Sequence, residues 1–275
     1  METNNTYRAL YHMAHQQLES SFEAAQLFAH VTQKRPEDLP FVGADAAPQA
    51  YWEQLEALCA QRRGGTPLQY LLGEWEFYGL AFAVGRGVLI PRADTEALVE
   101  AALDKLADRE APEVLDLCAG SGCVAIAVAD SRPGAVVSAV ELSPDAYDYL
   151  TRNNDRHGNI VTPVLGDVVE YIHPRLLDVI TSNPPYIPAG AIAGLQPELW
   201  FEPRMALSGG DDGLDFYRVI ARRYYRQLKP GGWLCLEVGI DQSGPVAEIL
   251  AQNQYREIDT RRDMAGIERV VLGRR

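Results

Sequence analysis

The sequence has few cysteines and no long apolar run, and each scarcity excludes a class of protein. Four cysteines in 275 residues, none in a Cys-x-x-Cys pair, are too sparse for a disulfide framework or a zinc finger. The longest uncharged apolar stretch, Leu117 to Ala129, is too short to cross a bilayer, and no secretory signal is visible at the start. A reduced cytoplasmic protein with no metal site and no membrane association is therefore expected.

Positive charge is also scarce in this chain. It has 25 Lys and Arg against 38 Asp and Glu, which gives a formal net charge of −13. Binding to phosphate backbones needs concentrated Lys and Arg to displace counterions, so no direct nucleic-acid binding is expected. The composition, 47% hydrophobic and 23% charged, is typical of a folded globular protein, and 275 residues allow about two domains.

The N-terminal part of the chain has the pattern of a small helical module. Ser20 and Glu23 have the spacing of a capping box, which opens a helix. A Gly-Gly-Thr-Pro break then precedes aromatic and β-branched residues punctuated by glycine, a pattern typical of a hairpin. We predict an N-terminal helical domain at 1–66, a hairpin-like connector at 67–91 and a larger domain at 92–275.

The larger domain shows strands alternating with helices. Apolar strands joined by helices are typical of a doubly wound, mostly parallel sheet covered on both faces. The fifth strand is expected to follow a turn at Lys229–Gly232, and the last two strands to pair as an antiparallel hairpin. The predicted fold is thus α/β with seven strands, at about 113–118, 136–142, 162–167, 177–182, 233–238, 255–261 and 267–273.

A glycine-rich segment follows the first of these strands. It reads Asp116-Leu117-Cys118-Ala119-Gly120-Ser121-Gly122, and glycines at a strand–helix junction let the backbone approach a ligand beside a helix N-terminus. Glu141 ends the next strand, where a carboxylate can accept hydrogen bonds from both ribose hydroxyls. These residues predict a nucleoside cofactor, although alone they also fit a nicotinamide-dinucleotide fingerprint or a structural turn.

Asp167 ends the third strand, and Val168 comes directly after it. A carboxylate at that edge could accept from an adenine amino group, and it could equally be a helix N-cap or a solvated loop acid. Position alone leaves both interpretations open, and we count both residues as candidates for cofactor binding.

The motif with the most chemical content is Asn183-Pro184-Pro185-Tyr186, directly after the fourth strand. Two successive prolines stiffen the loop and leave the Asn183 side-chain oxygen and the Pro184 carbonyl as two acceptors at one place. Two acceptors suit a substrate –NH₂ group, and Tyr186 supplies a flat face on which a planar amide or base can stack. We predict Asn183, Pro184 and Tyr186 as catalytic residues, all four as substrate-binding residues, and Asn183 as a cofactor contact too.

Longer segments extend these motifs over nearly the whole chain: SFEAAQLFAHV, PLQYLLGEWEFYGLAFAV, VLIPRADTEALVE, DLCAGSG, NPPYIP, FEPRMALSGGDDGLDFYR, LKPGGWLCLEVG and DMAGIERVVLGR. On these segments the chain resembles the glutamine N5-methyltransferases that modify peptide chain release factors, within the class I S-adenosylmethionine-dependent methyltransferases. Two positions depart from the family pattern. Cys118-Ala119 stands where Gly-Thr is more usual, and Ala93 stands where proline is common.

The resemblance implies a class I methyltransferase fold, with 92–275 as the S-adenosylmethionine-dependent domain and 1–66 as the domain that binds the protein substrate. The implied reaction moves a methyl group from S-adenosyl-L-methionine to the N5 amide nitrogen of the glutamine in the Gly-Gly-Gln loop of class 1 release factors. S-adenosyl-L-homocysteine is the other product, and a monomer is expected. The alternatives are a glutamine of a ribosomal protein, or an adenine N6 amino group, which the net charge of −13 disfavours.

Four charged residues of the family-like segments have roles that the sequence leaves open. Arg92 and Glu96 are expected either to shape a lid over the cofactor pocket or to form structural salt bridges. Glu202 and Arg204 are expected to be structural supports of the site.

Overall fold

The computed structural model describes residues 5–275, so the first four residues of the predicted N-terminal domain lie outside the described part. The described chain divides into two compact units. One comprises 5–74 together with Pro197–Phe201, and the other comprises Trp75–Gln196 and Glu202–Arg275. The domain boundaries inferred from the sequence remain a prediction.

The first unit is helical, and its first two helices start at capping side chains. Thr6 accepts a hydrogen bond from the Ala9 N–H, and Ser20 accepts one from the Glu23 N–H, which is the Ser20 half of the predicted capping box. The second helix ends where Gln33 adopts a left-handed conformation. The helices are α1 Tyr7–Gln17, α2 Ser21–Thr32, α3 Leu39–Val42, α4 Gln49–Arg63 and α5 Leu68–Leu72.

The core of this unit lies between α1, α2 and α4. Its most buried side chains are Leu10, Leu27, Phe28 and Leu55, which no solvent reaches. The edge of the Tyr11 ring packs on Phe28, with the ring centroids 5.3 Å apart. Helix packing of this kind buries one apolar stripe from each helix, which is what stabilises so small a unit.

The second unit carries the sheet and the helices that cover it. The predicted connector at 67–91 begins with helix α5 and continues into a two-stranded hairpin, β1 Glu74–Phe77 and β2 Leu80–Ala83. The helices that follow are α6 Glu96–Leu106, α7 Cys123–Ser131, α8 Pro144–Arg156, α9 Asp215–Tyr224 and α10 Ser243–Gln252. The sheet strands are β3 Glu113–Leu117, β4 Val136–Glu141, β5 Val161–Leu165, β6 Leu177–Ser182, β7 Leu228–Glu237, β8 Arg256–Arg262 and β9 Glu268–Arg274.

The seven strands form one sheet in the order β5-β4-β3-β6-β7-β9-β8. The first five are parallel, and β9 joins β7 and β8 antiparallel, which confirms the predicted sheet and its closing hairpin. The turn expected at Lys229–Gly232 is wrong as a strand boundary. β7 begins at Leu228, and the Pro-Gly-Gly segment lies within it as an irregularity in its register with β6.

Two apolar clusters cover the two faces of the sheet. One face packs against α6 and α7 and the other against α9 and α10, where Tyr217 and Tyr224 are the largest fully buried side chains. The central strands β3, β4 and β6 are therefore almost continuously buried, as parallel strands covered on both faces must be, whereas the edge strands β5 and β8 are partly exposed. Within residues 5–275, no helix combines the length and the apolarity that crossing a membrane requires.

Candidate active site

A cleft lies at the carboxyl ends of β3, β4 and β6, where the strand order reverses between β3 and β6. In open α/β sheets this reversal opens a crevice in which ligands bind. The cleft is partly open, and its outline takes in about 930 Å³ when the open solvent at its mouth is included. Its walls come from the loops after β3, β4, β5 and β6 and from the segments 87–95 and 203–206.

The loop between β3 and α7 turns through three residues with positive φ. They are Cys118 at 57°, Gly120 at 55° and Gly122 at 81°. The Ala119 N–H donates to the Val140 carbonyl and the Gly122 N–H to the Ala119 carbonyl, so the loop is held against β4. Cys118 thus adopts a conformation that favours glycine, at a position where the sequence departs from the pattern that it otherwise resembles. Burial raises the pKa of its thiol.

Glu141 is the last residue of β4 and is buried at the floor of the cleft. Its Oε2 accepts from the Gly120 N–H at 2.7 Å, and its Oε1 accepts from the Ser143 N–H at 2.8 Å. A carboxylate oxygen has more than one acceptor site, so both oxygens can still accept from a ligand. The position fits the predicted contact with ribose hydroxyls.

Asp116 does not line the cleft; it lies beneath the loop in the sheet. Its Oδ1 accepts from the Thr181 hydroxyl at 2.7 Å, and its carboxyl also receives the Ala125 N–H. Burial raises the pKa of Asp116 to about 7, although both hydrogen bonds lower it. The structure therefore gives Asp116 the contacts of a residue that ties β3 to β6 and α7, one layer below the site.

Asp167 also lies outside the cleft lining, while its neighbours Gly166 and Val168 line it. The Asp167 Oδ1 accepts from the Val169 N–H at 2.8 Å, two residues on. This local bond is that of an Asx turn, so it resembles the capping role among the alternatives left open by the sequence.

Asn183 lines the cleft directly after β6. Its Nδ2 donates to the Thr95 hydroxyl at 3.3 Å. An amide with its nitrogen engaged in this way leaves its Oδ1 as a free acceptor. Pro185 also lines the cleft, whereas Pro184 is buried beside it and does not.

Tyr186 does not line the cleft, and its backbone is held by two neighbouring segments, one before α9 and one before α10. The Gln242 side chain donates to the Tyr186 carbonyl at 3.0 Å, and the Ile187 N–H donates to the Leu207 carbonyl at 2.9 Å. The family-like segment FEPRMALSGGDDGL thus packs along the Asn-Pro-Pro-Tyr loop. Burial raises the pKa of Tyr186 to about 12, so its hydroxyl stays protonated near neutral pH.

The structure brings most of the sequence-predicted site residues into one cleft. Those that line it are Cys118, Ala119, Gly120, Ser121, Glu141, Val168, Asn183 and Pro185. Those that lie next to it without lining it are Asp116, Gly122, Asp167, Pro184 and Tyr186.

The four charged residues left open by the sequence separate into different environments. Arg92 lines the cleft and pairs with the buried carboxylate of Glu202, which also accepts from the Ile90 N–H at 3.1 Å. This ion pair holds the segment 90–92 at the mouth of the cleft. Glu96 accepts from the Tyr78 N–H at 3.0 Å and does not line the cleft, and Arg204 is exposed.

Comparison with known proteins yields two family matches and close relatives. Residues 94–195 match the family described as "Methyltransferase small domain", and residues 10–73 match the "PrmC N-terminal domain". A release factor glutamine methyltransferase of Geobacter sulfurreducens is 48% identical over 221 residues, covering 79% of this chain and 76% of that protein. Another, from Neisseria gonorrhoeae, is 39% identical and covers 92% of each chain.

The chain belongs to the release factor glutamine methyltransferase family. The resemblance drawn from the motifs is thereby confirmed, and with it the assignment as a protein methyltransferase. The solved structure of a methyltransferase from Pyrococcus furiosus shares the fold, with a TM-score of 0.55 over 80% of this chain and 96% of that one. At 16% identity that likeness shows the class I fold alone.

Among the residues missed from the sequence, three are central to the site of this methyltransferase. Thr95 lies in the segment VLIPRADTEALVE and lines the cleft, whereas Glu237, at the end of β7, and Arg269, at the start of β9, do not line it. Glu237 is buried, and burial raises its pKa to about 7. Glu237 could have been found from the sequence, because it is a charged residue that ends an otherwise apolar strand, and Glu141 was predicted on the same ground.

Proposed function

We propose that this protein transfers a methyl group from S-adenosyl-L-methionine to the N5 side-chain nitrogen of the glutamine in the Gly-Gly-Gln loop of class 1 release factors. The observation that carries the proposal is Asn183, which lines the cleft with its Nδ2 donated to Thr95. Its Oδ1 is then available to a substrate –NH₂ group. The names of the relatives support the release factor as substrate.

The residues of the cleft fit S-adenosylmethionine. Glu141 places a buried carboxylate where ribose hydroxyls can donate to it, and Gly120 leaves open space in the loop opposite. Apolar side chains such as Val168, Leu142 and Phe216 complete the lining with surfaces suited to a base. S-adenosylmethionine supplies, when bound, a methyl group already activated on a sulfonium.

The protein's own contribution is to hold and polarise an unreactive amide. The lone pair of an amide nitrogen is delocalised into the carbonyl, which makes the nitrogen a poor nucleophile. We propose that Asn183 Oδ1 and the Pro184 carbonyl accept the two amide protons, which orients the nitrogen and favours a pyramidal geometry. Since Pro184 and Tyr186 lie beside the lining of the cleft, the substrate amide has to reach past Asn183 to them, and there Tyr186 packs on the amide plane. The product nitrogen can lose its extra proton later, so no strong base is required.

The reaction is tested by incubating the protein with radiolabelled S-adenosylmethionine and one candidate substrate at a time. The candidates are a class 1 release factor, its variant with the loop glutamine replaced by alanine, ribosomal protein and nucleic acid. Label in the intact release factor alone supports the proposal. Label in ribosomal protein or nucleic acid, with none in the release factor, overturns it.

The role of Asn183 is tested by Asn183→Ala against Asn253→Ala, whose amide caps α10 away from the cleft. We expect Asn183→Ala to lower kcat about 100-fold or more, the scale of losing one preorganised polar group. Cofactor affinity, measured by calorimetry, is expected to change little, and Asn253→Ala is expected to keep full activity. An Asn183→Ala variant with normal kcat, or one that fails only in cofactor binding, contradicts this role.

We also propose that the N-terminal helical domain binds the release factor. Its surface exposes Phe41, at 86% of its full accessibility, and Phe22, at 56%, and exposed aromatic side chains of this kind favour a protein partner. Phe41→Ser is expected to raise the KM for release factor and leave kcat and the affinity for cofactor unchanged. An unchanged KM assigns the binding surface elsewhere. We propose a monomer that acts in the cytoplasm, where a translation factor is available as substrate.

A further inference from the structure

Glu237 and Asn183 stand side by side at the end of the sheet. In the parallel pair β6–β7, Ser182 is in register with Leu236. Asn183 directly follows β6 and Glu237 is the last residue of β7, so both come directly after this pair. Residues that lie side by side on neighbouring parallel strands project their side chains to the same face of the sheet, which brings Asn183 and Glu237 together.

The Glu237 carboxyl accepts hydrogen bonds from Thr95 and Asn183, while one of its two oxygens has no partner among the described residues. It is 2% exposed, and hydrogen bonding from the Thr95 hydroxyl and the Asn183 amide lowers its pKa against the larger effect of burial. Among the described residues, its Oε2 is buried and has no hydrogen-bond partner. The charge of Arg269 lies nearby, where Arg269 donates to the Val238 carbonyl at 3.3 Å. The carboxylate therefore has acceptor capacity that the described residues leave unused.

The arrangement gives the hydrogen bonds a direction. With a pKa of about 7, Glu237 is ionised in a large share of molecules at neutral pH and in most of them above it. In that form its carboxylate only accepts, so the Thr95 hydroxyl donates to it. The Thr95 oxygen is then free to accept, and the Asn183 Nδ2 donates to it at 3.3 Å. Because only the nitrogen of the Asn183 amide can donate, the nitrogen must face Thr95 and Glu237 and the oxygen must face away from them.

We infer that Glu237 is a positioning residue, which acts with Thr95 to keep the nitrogen of Asn183 inward so that its Oδ1 faces the cleft. The inference rests on the proposed function, in which that oxygen accepts an amide proton of the substrate. It adds the group that determines the acceptor's orientation. Without a purely accepting partner, the Asn183 amide could turn over and present two donors to the substrate.

The test is Glu237→Gln, which keeps the shape of the side chain and adds a donor, so that the chain of hydrogen bonds can reverse. The matched control is Glu113→Gln. Glu113 is also a buried carboxylate whose Oε2 has no hydrogen-bond partner within residues 5–275, but it lies at the opposite end of the sheet, at the start of β3. Both variants are purified as full chains and checked for a cooperative thermal transition and for binding of S-adenosyl-L-homocysteine.

We expect Glu237→Gln to lower kcat about 100-fold, the effect of misplacing a reacting group by about 1 Å, with little change in cofactor affinity. The decisive readout is selectivity between a release factor and its variant with the loop glutamine replaced by glutamate. A turned Asn183 amide donates to a carboxylate, so the preference for glutamine over glutamate in binding affinity should fall at least about tenfold. Glu113→Gln should keep both kcat and this preference.

Each outcome bears on the inference. A Glu237→Gln variant with the kcat and the preference of Glu113→Gln overturns it, and so does a lower kcat with an unchanged preference. If Glu237→Gln does not fold, Thr95→Val and Thr95→Ser replace it: loss of kcat and preference in the valine variant, with recovery in the serine variant, supports the inference, and equal behaviour overturns it. If the wild-type protein methylates no release factor, the proposed function itself fails, and the inference fails with it. If the wild type is active and the variants behave alike, only the inference about Glu237 fails.

Discussion

Two glycines of the β3–α7 loop, Gly120 and Gly122, should rank differently in two measurements when each is replaced by alanine. Gly122→Ala should lose more stability, and Gly120→Ala should lose more affinity for the cofactor. Both have positive φ, so an alanine at either position costs about 1–2 kcal/mol in backbone strain. A Cβ at Gly120 would meet nothing within 4 Å, so strain is its whole cost to the unliganded protein. A Cβ at Gly122 would lie 2.4 Å from Leu150 Cδ1, and such overpacking adds about 1–3 kcal/mol.

The stability of the two variants is measured by urea denaturation and by thermal melting. Gly120→Ala should lose about 1–2 kcal/mol, and Gly122→Ala about 2–5 kcal/mol, at about 2–4 °C of Tm per kcal/mol. Calorimetry with S-adenosyl-L-homocysteine should show the reverse order. Gly120 lines the cleft and Gly122 does not, so Gly120→Ala should weaken cofactor affinity by at least about tenfold relative to wild type. Gly122→Ala should weaken it less.

The ranking of the two variants by stability should therefore be the reverse of their ranking by cofactor affinity. If Gly122→Ala were both the less stable and the weaker cofactor binder, the loop would bind the cofactor through its overall integrity. The open space at Gly120 would then have no part in binding. If Gly120→Ala bound the cofactor normally, the loop would not contact the cofactor at that position.

Three further predictions follow from single contacts. Glu141→Ala should weaken the cofactor Kd about tenfold to a hundredfold, the loss of a charged hydrogen-bond acceptor, while kcat at saturating cofactor falls less; an unchanged Kd in calorimetry would remove Glu141 from the cofactor site. The stability of the wild type should fall as pH rises from about 4 to about 7, because burial raises the pKa of Asp116 and of Glu237 to about 7 and the folded protein there binds protons that the unfolded chain has lost. Asp116→Asn should reduce that slope in urea titrations at stepped pH, and an unchanged slope would contradict the pKa of Asp116. Arg62→Met should destabilise the protein by about 1–3 kcal/mol, since Arg62 pairs with two carboxylates of its own unit; the exposed Arg63→Met is the control, and equal stabilities would show that the pairs contribute nothing.

The fold was predictable because its signals are local. Apolar strands alternating with helices predicted the parallel sheet, and two late strands joined by a short turn predicted the hairpin of β8 and β9. The start of β7 was missed because Pro230 and two glycines read as a turn, whereas the sheet accommodates them as an irregularity within the strand. A local pattern cannot show that a neighbouring strand will pair across such a segment.

The candidate site was predictable in its linear motifs and incomplete elsewhere. The glycine-rich loop, Glu141 and Asn183 follow strands directly, and the carboxyl ends of parallel strands meet at one edge. Asp116 belongs to the same motif, but its side chain points to Thr181 within the sheet and away from the cleft. The alternation of side chains along a strand decides such cases, and it depends on the register.

By itself, the sequence determined the family, the order of strands and helices along the chain, and the loops that form the candidate site, because each of these is written in short contiguous segments. The tertiary structure alone decided which of those residues face the cleft. It also decided which distant side chains stand behind them, as Thr95 and Glu237 stand behind Asn183. These residues are separated by more than 50 positions along the chain. Glu237 meets Asn183 because β6 lies next to β7 in the sheet, and Thr95 reaches Asn183 from the segment before α6.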